Sequence, residues 1–246
     1  MGRRGARLTV YVQPMSDPSA AGAVAVGAKG EVTTQELDRQ ERAVARRSAE
    51  TRAIVPSVEY AIDVDAGRSL ARAEQLGCPP TALVVATAAA CLREAPRLNG
   101  AYRDGRRELY GRVNVAVTLP AGEGTVTATV FDADRKSPGE IGSELRDKAE
   151  RARRGELTSA ELSGATFTVH PPADAPVTML TPLINPPQAA ALAVGALRQA
   201  VLVKDEAVVP GHVMTLTLAC DHRTVQAPDA GRFLRLLKAG LEEETP

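Results

Sequence analysis

Short stretches of this chain alternate apolar and polar residues while longer ones are apolar on one or more faces, which predicts a mixture of strands and helices. Residues 58–64 (Val-Glu-Tyr-Ala-Ile-Asp-Val) alternate with a period of two, as in a strand with one buried face. Residues 113–119 and 125–131 are rich in β-branched residues and flank a Pro-Ala-Gly-Glu-Gly turn, which predicts a hairpin. Further strands are predicted at residues 165–169, 189–194 and 213–220.

Helices are predicted between these strands. Pro79-Pro80 opens a helix to about Arg93 that is apolar on nearly every side and that we therefore expect to be buried. The mixed order of elements, with no internal repeat, predicts one α/β domain of residues 36–246. Residues 1–35, rich in Gly, Ala, Ser and Pro, predict an N-terminal arm or linker. The other predicted helices span about residues 35–53, 138–154 and 229–241.

Composition narrows the range of partners. The 246 residues carry 30 basic and 30 acidic side chains, so we expect no nucleic-acid partner. The longest apolar stretch, residues 81–92, is shorter than the ~20 residues that span a bilayer, which predicts a soluble cytoplasmic protein with no membrane partner. Cys78, Cys91 and Cys220 are too few and too scattered for a disulfide framework or a zinc site, and no metal is expected.

The most informative motif is Asp221-His222-Arg223, which follows the predicted strand 213–220. A histidine between an acid and a base at a strand end is well placed to act as a general base. The segment 216–234 around it resembles the active-site signature of the acyltransferase core of the 2-oxo-acid dehydrogenase complexes, whose superfamily includes chloramphenicol acetyltransferase. The family pattern is Asp-His-Arg-x-x-Asp-Gly, and this chain departs from it with Gln226-Ala227 in place of Asp-Gly.

The resemblance extends over residues 36–244 through several further motifs. It implies a chloramphenicol acetyltransferase-like α/β fold, a mixed β-sheet covered by helices, assembled as a homotrimer. In such trimers coenzyme A and the acceptor enter a channel between neighbouring subunits from opposite sides, and the histidine lies in the middle. The motifs are Pro-Arg-Leu-Asn at residues 96–99, Phe-Asp-Ala-Asp-Arg-Lys-Ser-Pro-Gly-Glu-Ile at 131–141, Gly-Ala-Thr-Phe-Thr-Val at 164–169 and Thr-Pro-Leu-Ile-Asn-Pro-Pro-Gln at 181–188.

The resemblance assigns His222 as the general base and marks two altered positions. His170 stands where the family has a serine or threonine that donates a hydrogen bond to the oxyanion. A neutral histidine could donate that bond, contact the acceptor instead, or have no catalytic part. Gln226 stands where the family has Asp or Asn, and either supports the pocket or is a polar loop residue. Asp221 and Arg223 are expected to pair structurally.

The most specific functional hypothesis is an acetyl-CoA-dependent O-acetyltransferase acting on a small-molecule acceptor by direct transfer in a ternary complex. Residues 1–35 are too short for a lipoyl domain, and the chain stops soon after its last predicted helix, which predicts a free trimer. These features resemble the tetronate O-acetyltransferases of natural-product biosynthesis, which acetylate a primary alcohol. The alternatives are a dihydrolipoamide acyltransferase with a separate lipoyl carrier, and a catalytically silent trimeric scaffold.

Overall fold

The computed structural model describes residues 30, 32–37, 39–122, 124–172, 176–204 and 206–243. Most of the predicted arm, residues 1–35, lies outside the described residues. The chain divides into two compact units, residues 1–43 and 44–246. The helices are α1 (Arg39–Ile54), α2 (Gly67–Gln75), α3 (Pro80–Glu94), α4 (Pro138–Arg153) and α5 (Ala227–Glu242). The strands are β1 (Ser57–Asp65), β2 (Gly100–Arg103), β3 (Arg106–Leu109), β4 (Val115–Ala121), β5 (Gly124–Val130), β6 (Phe167–His170), β7 (Ala190–Val194), β8 (Arg198–Lys204) and β9 (Ala207–Asp221).

The second unit is built on a mixed sheet in the order β1-β9-β7-β6-β4-β5, with β8 paired to the first half of β9. Strand β6 runs parallel to β4 and to β7, and the other pairs are antiparallel. The predicted hairpin is confirmed as β4–β5, with Val115 opposite Val130. Strands β2 and β3 form a separate two-stranded hairpin. The predicted α/β class with a mixed sheet is therefore confirmed.

Helices α3 and α5 supply much of the core. Helix α3 buries eight of its residues on nearly every side, as its sequence predicts. Helix α5 buries Phe233, Leu234, Leu237 and Leu241, and the Phe233 ring packs 5.8 Å from that of Phe167 on β6. With no tryptophan and few aromatic residues, the rest of the core consists mainly of Val, Leu and Ala.

Several parts of the fold depart from the expectations, among them helix α2 and strand β8, which were not predicted. The β2–β3 hairpin was not predicted, because its strands are only four residues long and β3, Arg-Arg-Glu-Leu, is exposed along its length and lacks the alternation of a half-buried strand. The predicted strand 213–220 is part of a longer strand, β9, whose first half, including His212, pairs with β8. Pro210 is tolerated there because that half of β9 pairs with β8 on one side only. The N–H that a proline lacks is therefore not needed for a hydrogen bond between strands.

Candidate active site

The chain presents His222 immediately after β9, in the turn that leads into α5. The residue is exposed, whereas its neighbour Asp221 is buried. The His222 backbone N–H donates to the carbonyl of Pro56 at 3.0 Å, and its own carbonyl accepts from Gln226 Nε2 at 2.8 Å. Both backbone polar groups of His222 are thus fixed, while its imidazole is left accessible to a ligand.

Asp221 and Arg223 form the structural pair that the sequence predicts. Arg223 Nε and Nη2 donate to the two carboxylate oxygens at 2.9 and 2.7 Å, and the Arg223 backbone N–H donates to Oδ1 at 3.1 Å. The hydrogen bonds to Asp221 raise the pKa of the Arg223 guanidinium. Both carboxylate oxygens of Asp221 are therefore engaged by Arg223.

Gln226 links the turn to the start of α5. Besides the bond from its side chain to the carbonyl of His222, its backbone N–H donates to Asp229 Oδ2 at 3.3 Å. Ala227 begins the helix and is absent from the positive-φ residues, as expected where a side chain replaces the family glycine. Gln226 therefore supports the backbone of His222 with a neutral amide.

His170 ends β6 at a different place in the sheet. Its Nδ1 lies 2.9 Å from the hydroxyl of Thr118 on β4. Its Nε2 is buried and has no hydrogen-bond partner among the described residues. Burial lowers the pKa of His170, an effect that the backbone carbonyl of Leu183 partly opposes. The ring is therefore neutral near pH 7 and carries a single N–H.

The sheet register keeps His170 and His222 apart within one chain. His170 is level with Ala193 on β7, which is level with Thr217 on β9, five residues before His222. Five residues at about 3.3 Å each and two strand spacings of about 4.8 Å place the two backbones roughly 20 Å apart. One chain therefore does not bring these two candidate residues together.

The β2–β3 hairpin contributes contacts to the site that the sequence analysis missed. Tyr102 and Arg107 on this hairpin touch the turn that carries His222. A cleft of about 290 Å³ opens beside them. A tyrosine followed by an arginine-rich stretch was the available signal, but nothing in the sequence tied it to the turn. The cleft is lined by Ile54, Val55, Tyr102, Arg103, Asp104, Pro186, Pro187, Gln188, Asp221 and Arg223.

Cys78, Cys91 and Cys220 are free and buried. The described part of the chain holds no group of three or more His, Cys, Asp or Glu side chains that could bind a metal ion. In the same residues no single helix is long and apolar enough to cross a membrane, although α2 and α3, bent by 105°, pass that test as a pair.

Comparison with known proteins gives a consistent match. The family model of 2-oxoacid dehydrogenases acyltransferase (catalytic domain) matches residues 29–245. The dihydrolipoyllysine-residue acetyltransferase component of the pyruvate dehydrogenase complex from Staphylococcus aureus is 29% identical over 232 residues, 90% of this chain and 54% of the relative. The chain spans about half the length of this curated relative, and the match to the same component from Mycoplasma capricolum covers 35% of that relative.

Solved structures match over most of the chain. The dihydrolipoamide acetyltransferase of Azotobacter vinelandii superposes with a TM-score of 0.83 at 21% identity, over 91% of this chain and 97% of that one. Chloramphenicol acetyltransferase superposes with a TM-score of 0.54 at 15% identity, over 85% and 99% of the two chains. At these identities the likeness concerns the fold, which is the one expected from the sequence.

Proposed function

Because the chain belongs to the 2-oxoacid dehydrogenases acyltransferase (catalytic domain) family, we propose that it transfers an acetyl group from acetyl-CoA to an acceptor, with His222 as general base. The observation that carries this proposal is the geometry of the turn after β9. His222 stands in the family's Asp-His-Arg motif with its backbone fixed on both sides and its imidazole exposed. The flanking Asp221–Arg223 pair holds the turn and takes no proton.

The acceptor that the relatives support best is a dihydrolipoamide thiol on a separate lipoyl carrier. The curated relatives carry the name dihydrolipoyllysine-residue acetyltransferase. The tetronate alcohol, which the sequence analysis put first, finds no support in these comparisons. A hydroxyl acceptor stays a second candidate because His170 and Gln226 replace the polar residues typical of the family at two positions of the site.

The proposed reaction needs one proton carrier and one oxyanion donor. The imidazole of His222 takes the proton from the acceptor S–H or O–H as that atom bonds to the thioester carbonyl carbon. The tetrahedral oxyanion then collapses, the bond from carbon to the sulfur of coenzyme A breaks, and the imidazolium returns the proton to the leaving thiolate. General-base assistance of this kind contributes about 10²–10⁴-fold.

His170 is the candidate oxyanion donor, and this role requires a second copy of the chain. Neutral His170 donates from Nε2 in the tautomer in which the Thr118 hydroxyl donates to Nδ1. Within one chain it is separated from His222 by roughly 20 Å of sheet, at 3.3 Å per residue and 4.8 Å per strand. We therefore include a homotrimer in the proposal, with His222 of one copy facing His170 of the next. Because Nε2 is enclosed in the single chain, the bound substrate must replace the atoms that cover it.

The test of the activity is acceptor-dependent release of coenzyme A from acetyl-CoA. The acceptors are dihydrolipoamide and a hydroxymethyl tetronate, each assayed with the wild type, His222→Ala and His212→Ala. His212 is a matched control because it is an exposed histidine on the same strand as the motif. We expect turnover with the dithiol that is lost in His222→Ala and kept in His212→Ala. Turnover with the alcohol alone would favour the second candidate, and none with either acceptor would favour the scaffold.

The test of the shared site is complementation between two inactive variants. If each site takes His222 from one copy and His170 from the next, co-expressing His222→Ala with His170→Ala should restore about one quarter of the sites, by random assembly in a closed ring. Mixed preparations no more active than either single variant would contradict a site shared between copies.

A further inference from the structure

The β2–β3 hairpin touches the turn that carries His222 at two points. Arg107 Nε donates to the Thr224 hydroxyl at 2.9 Å, and Arg107 Nη2 donates to the Thr224 carbonyl, also at 2.9 Å. The Tyr102 ring lies 4.2 Å from the guanidinium carbon of Arg223, a distance typical of a cation–π contact. Arg223 and Thr224 are therefore both anchored by the hairpin. His222 directly precedes this anchored pair in the turn, and Val225 directly follows it.

Tyr102 and Arg107 act from one face of the hairpin because they are directly opposite each other across its two strands. Directly opposed side chains of an antiparallel pair project from the same face. Arg106 precedes Arg107 on β3, so its side chain projects from the other face. The contact with the turn thus depends on the register of the hairpin as well as on its composition.

The hairpin is itself anchored at its base. The Ala189 backbone N–H donates to the Gly100 carbonyl at 2.8 Å, and Asn99 Nδ2 donates to the carbonyls of Tyr110 and Arg112 at 3.0 and 2.8 Å. A Cβ on Gly100 would lie 2.3 Å from the Glu108 carbonyl oxygen, so only glycine permits this close pairing. The hairpin is therefore a fixed support for the turn.

Arg107 supplies the hydrogen bonds to Thr224, the part of the turn that the neighbouring motif residues do not hold. Pro56 and Gln226 hold the backbone of His222, and Arg223 is held by Asp221. Thr224 is 1% exposed, and its hydroxyl and carbonyl both accept from Arg107. Removing the guanidinium leaves two buried acceptors without this donor, two residues from the imidazole.

We propose that Arg107 is a positioning residue for His222, acting through Thr224, with Tyr102 supporting the same turn through Arg223. Arg107 touches no reacting atom. The inference rests on the proposed function, since its effect on rate requires His222 to act as a base. Misplacing a catalytic group by about 1 Å can lower a rate by about 10²-fold, so the expected signature is a loss in kcat with little change in KM.

The experiment compares Arg107→Met and Arg107→Lys with the control Arg106→Met, which removes the same charge from the opposite face. In the acetyl-CoA assay we expect kcat to fall about 10- to 100-fold in Arg107→Met, with KM within about twofold, in the range expected for lost positioning. Arg107→Lys should recover part of the rate, because it keeps the charge and loses the fork that spans two acceptors. Arg106→Met should match the wild type.

A second measurement keeps the inference testable whatever the acceptor is. Hydrogen exchange of the Thr224 and Val225 amides, which both donate to the Asp221 carbonyl, should become faster in Arg107→Met and stay unchanged in Arg106→Met. Equal losses of rate in both variants would indicate a charge effect and overturn the inference, as would unchanged kcat and exchange in Arg107→Met. A wild type with no turnover would overturn the proposed function and the catalytic meaning of Arg107, while the exchange result would still decide whether Arg107 holds the turn.

Discussion

Replacing Arg223 with methionine leaves the buried carboxylate of Asp221 without its charged partner. Asp221 is 2% exposed, and both of its oxygens accept from the Arg223 guanidinium at 2.9 and 2.7 Å. Methionine has similar bulk and no donor. The backbone N–H of residue 223, at 3.1 Å from Oδ1, would be left as the donor. The substitution therefore isolates the cost of an uncompensated buried charge.

The expected loss in the free energy of unfolding follows from these contacts. Two charge-assisted hydrogen bonds are worth about 1.5–3 kcal/mol each, and the cation–π contact with Tyr102 adds about 0.5–1 kcal/mol. The Arg223 side chain is 29% exposed, so the lower ends of these ranges apply. We expect a loss of about 3–4 kcal/mol at pH 7, within the range for breaking a buried ion pair.

The measurement is urea unfolding followed by far-ultraviolet circular dichroism at a fixed protein concentration, since the proposed assembly would make the midpoint depend on concentration. The double variant Asp221→Asn, Arg223→Met should recover part of the stability, and Tyr102→Leu gives the cation–π share. A loss below about 1 kcal/mol at pH 7 would refute the reasoning.

Three further predictions concern titratable groups elsewhere in the fold. Hydrogen bonds from Arg151 hold the pKa of Glu161 well below its usual range, so this carboxylate stabilises the fold above pH ~4.3, and the stability falls as it is protonated in acid. Glu161→Gln should cost about 1 kcal/mol at pH 7 and flatten the fall in urea midpoint below pH 5. Burial raises the pKa of the Cys91 and Cys220 thiols to about 11 and 12, so neither should react with a disulfide reagent at pH 8 until urea is added. Because burial lowers the pKa of His170, its ring resonances should titrate below the ~6.5 of a free histidine, and a midpoint at or above 6.5 would contradict its buried, neutral state.

The sequence was sufficient to predict the parts of the fold that depend on hydrophobic periodicity and on helix-capping residues. The all-round apolar run after Pro79 predicted a buried α3, and Ser137-Pro138 predicted the start of α4, where the Ser137 hydroxyl accepts from the Glu140 N–H. These signals are local, because they arise within one turn of helix or one face of a strand. The pairing of β8 with β9 could not be predicted in this way, because a short apolar run such as that in residues 198–204 does not identify its partner strand.

In the candidate site, too, the sequence identified the residues of a local motif and missed those brought in by strand pairing. Its motif residues, His222 and Gln226, lie four residues apart in sequence and could be found by pattern. Arg107 could not, because it is 117 residues from Thr224 and joins it only after β2 and β3 have paired in register. Likewise, the separation of His170 from His222 is a property of the sheet order and is not visible in either motif.

The supports of His222 come from three distant parts of the chain, and this explains how the motif can vary without losing its histidine. Pro56 holds the backbone N–H from the residue before β1, Gln226 holds the carbonyl from the start of α5, and Arg107 holds Thr224 from the hairpin. Because each support satisfies a different polar group, exchanging one of them leaves the others in place. At that position this turn uses a donor to the carbonyl of His222, which the amide of Gln226 supplies and an ionised carboxylate could not.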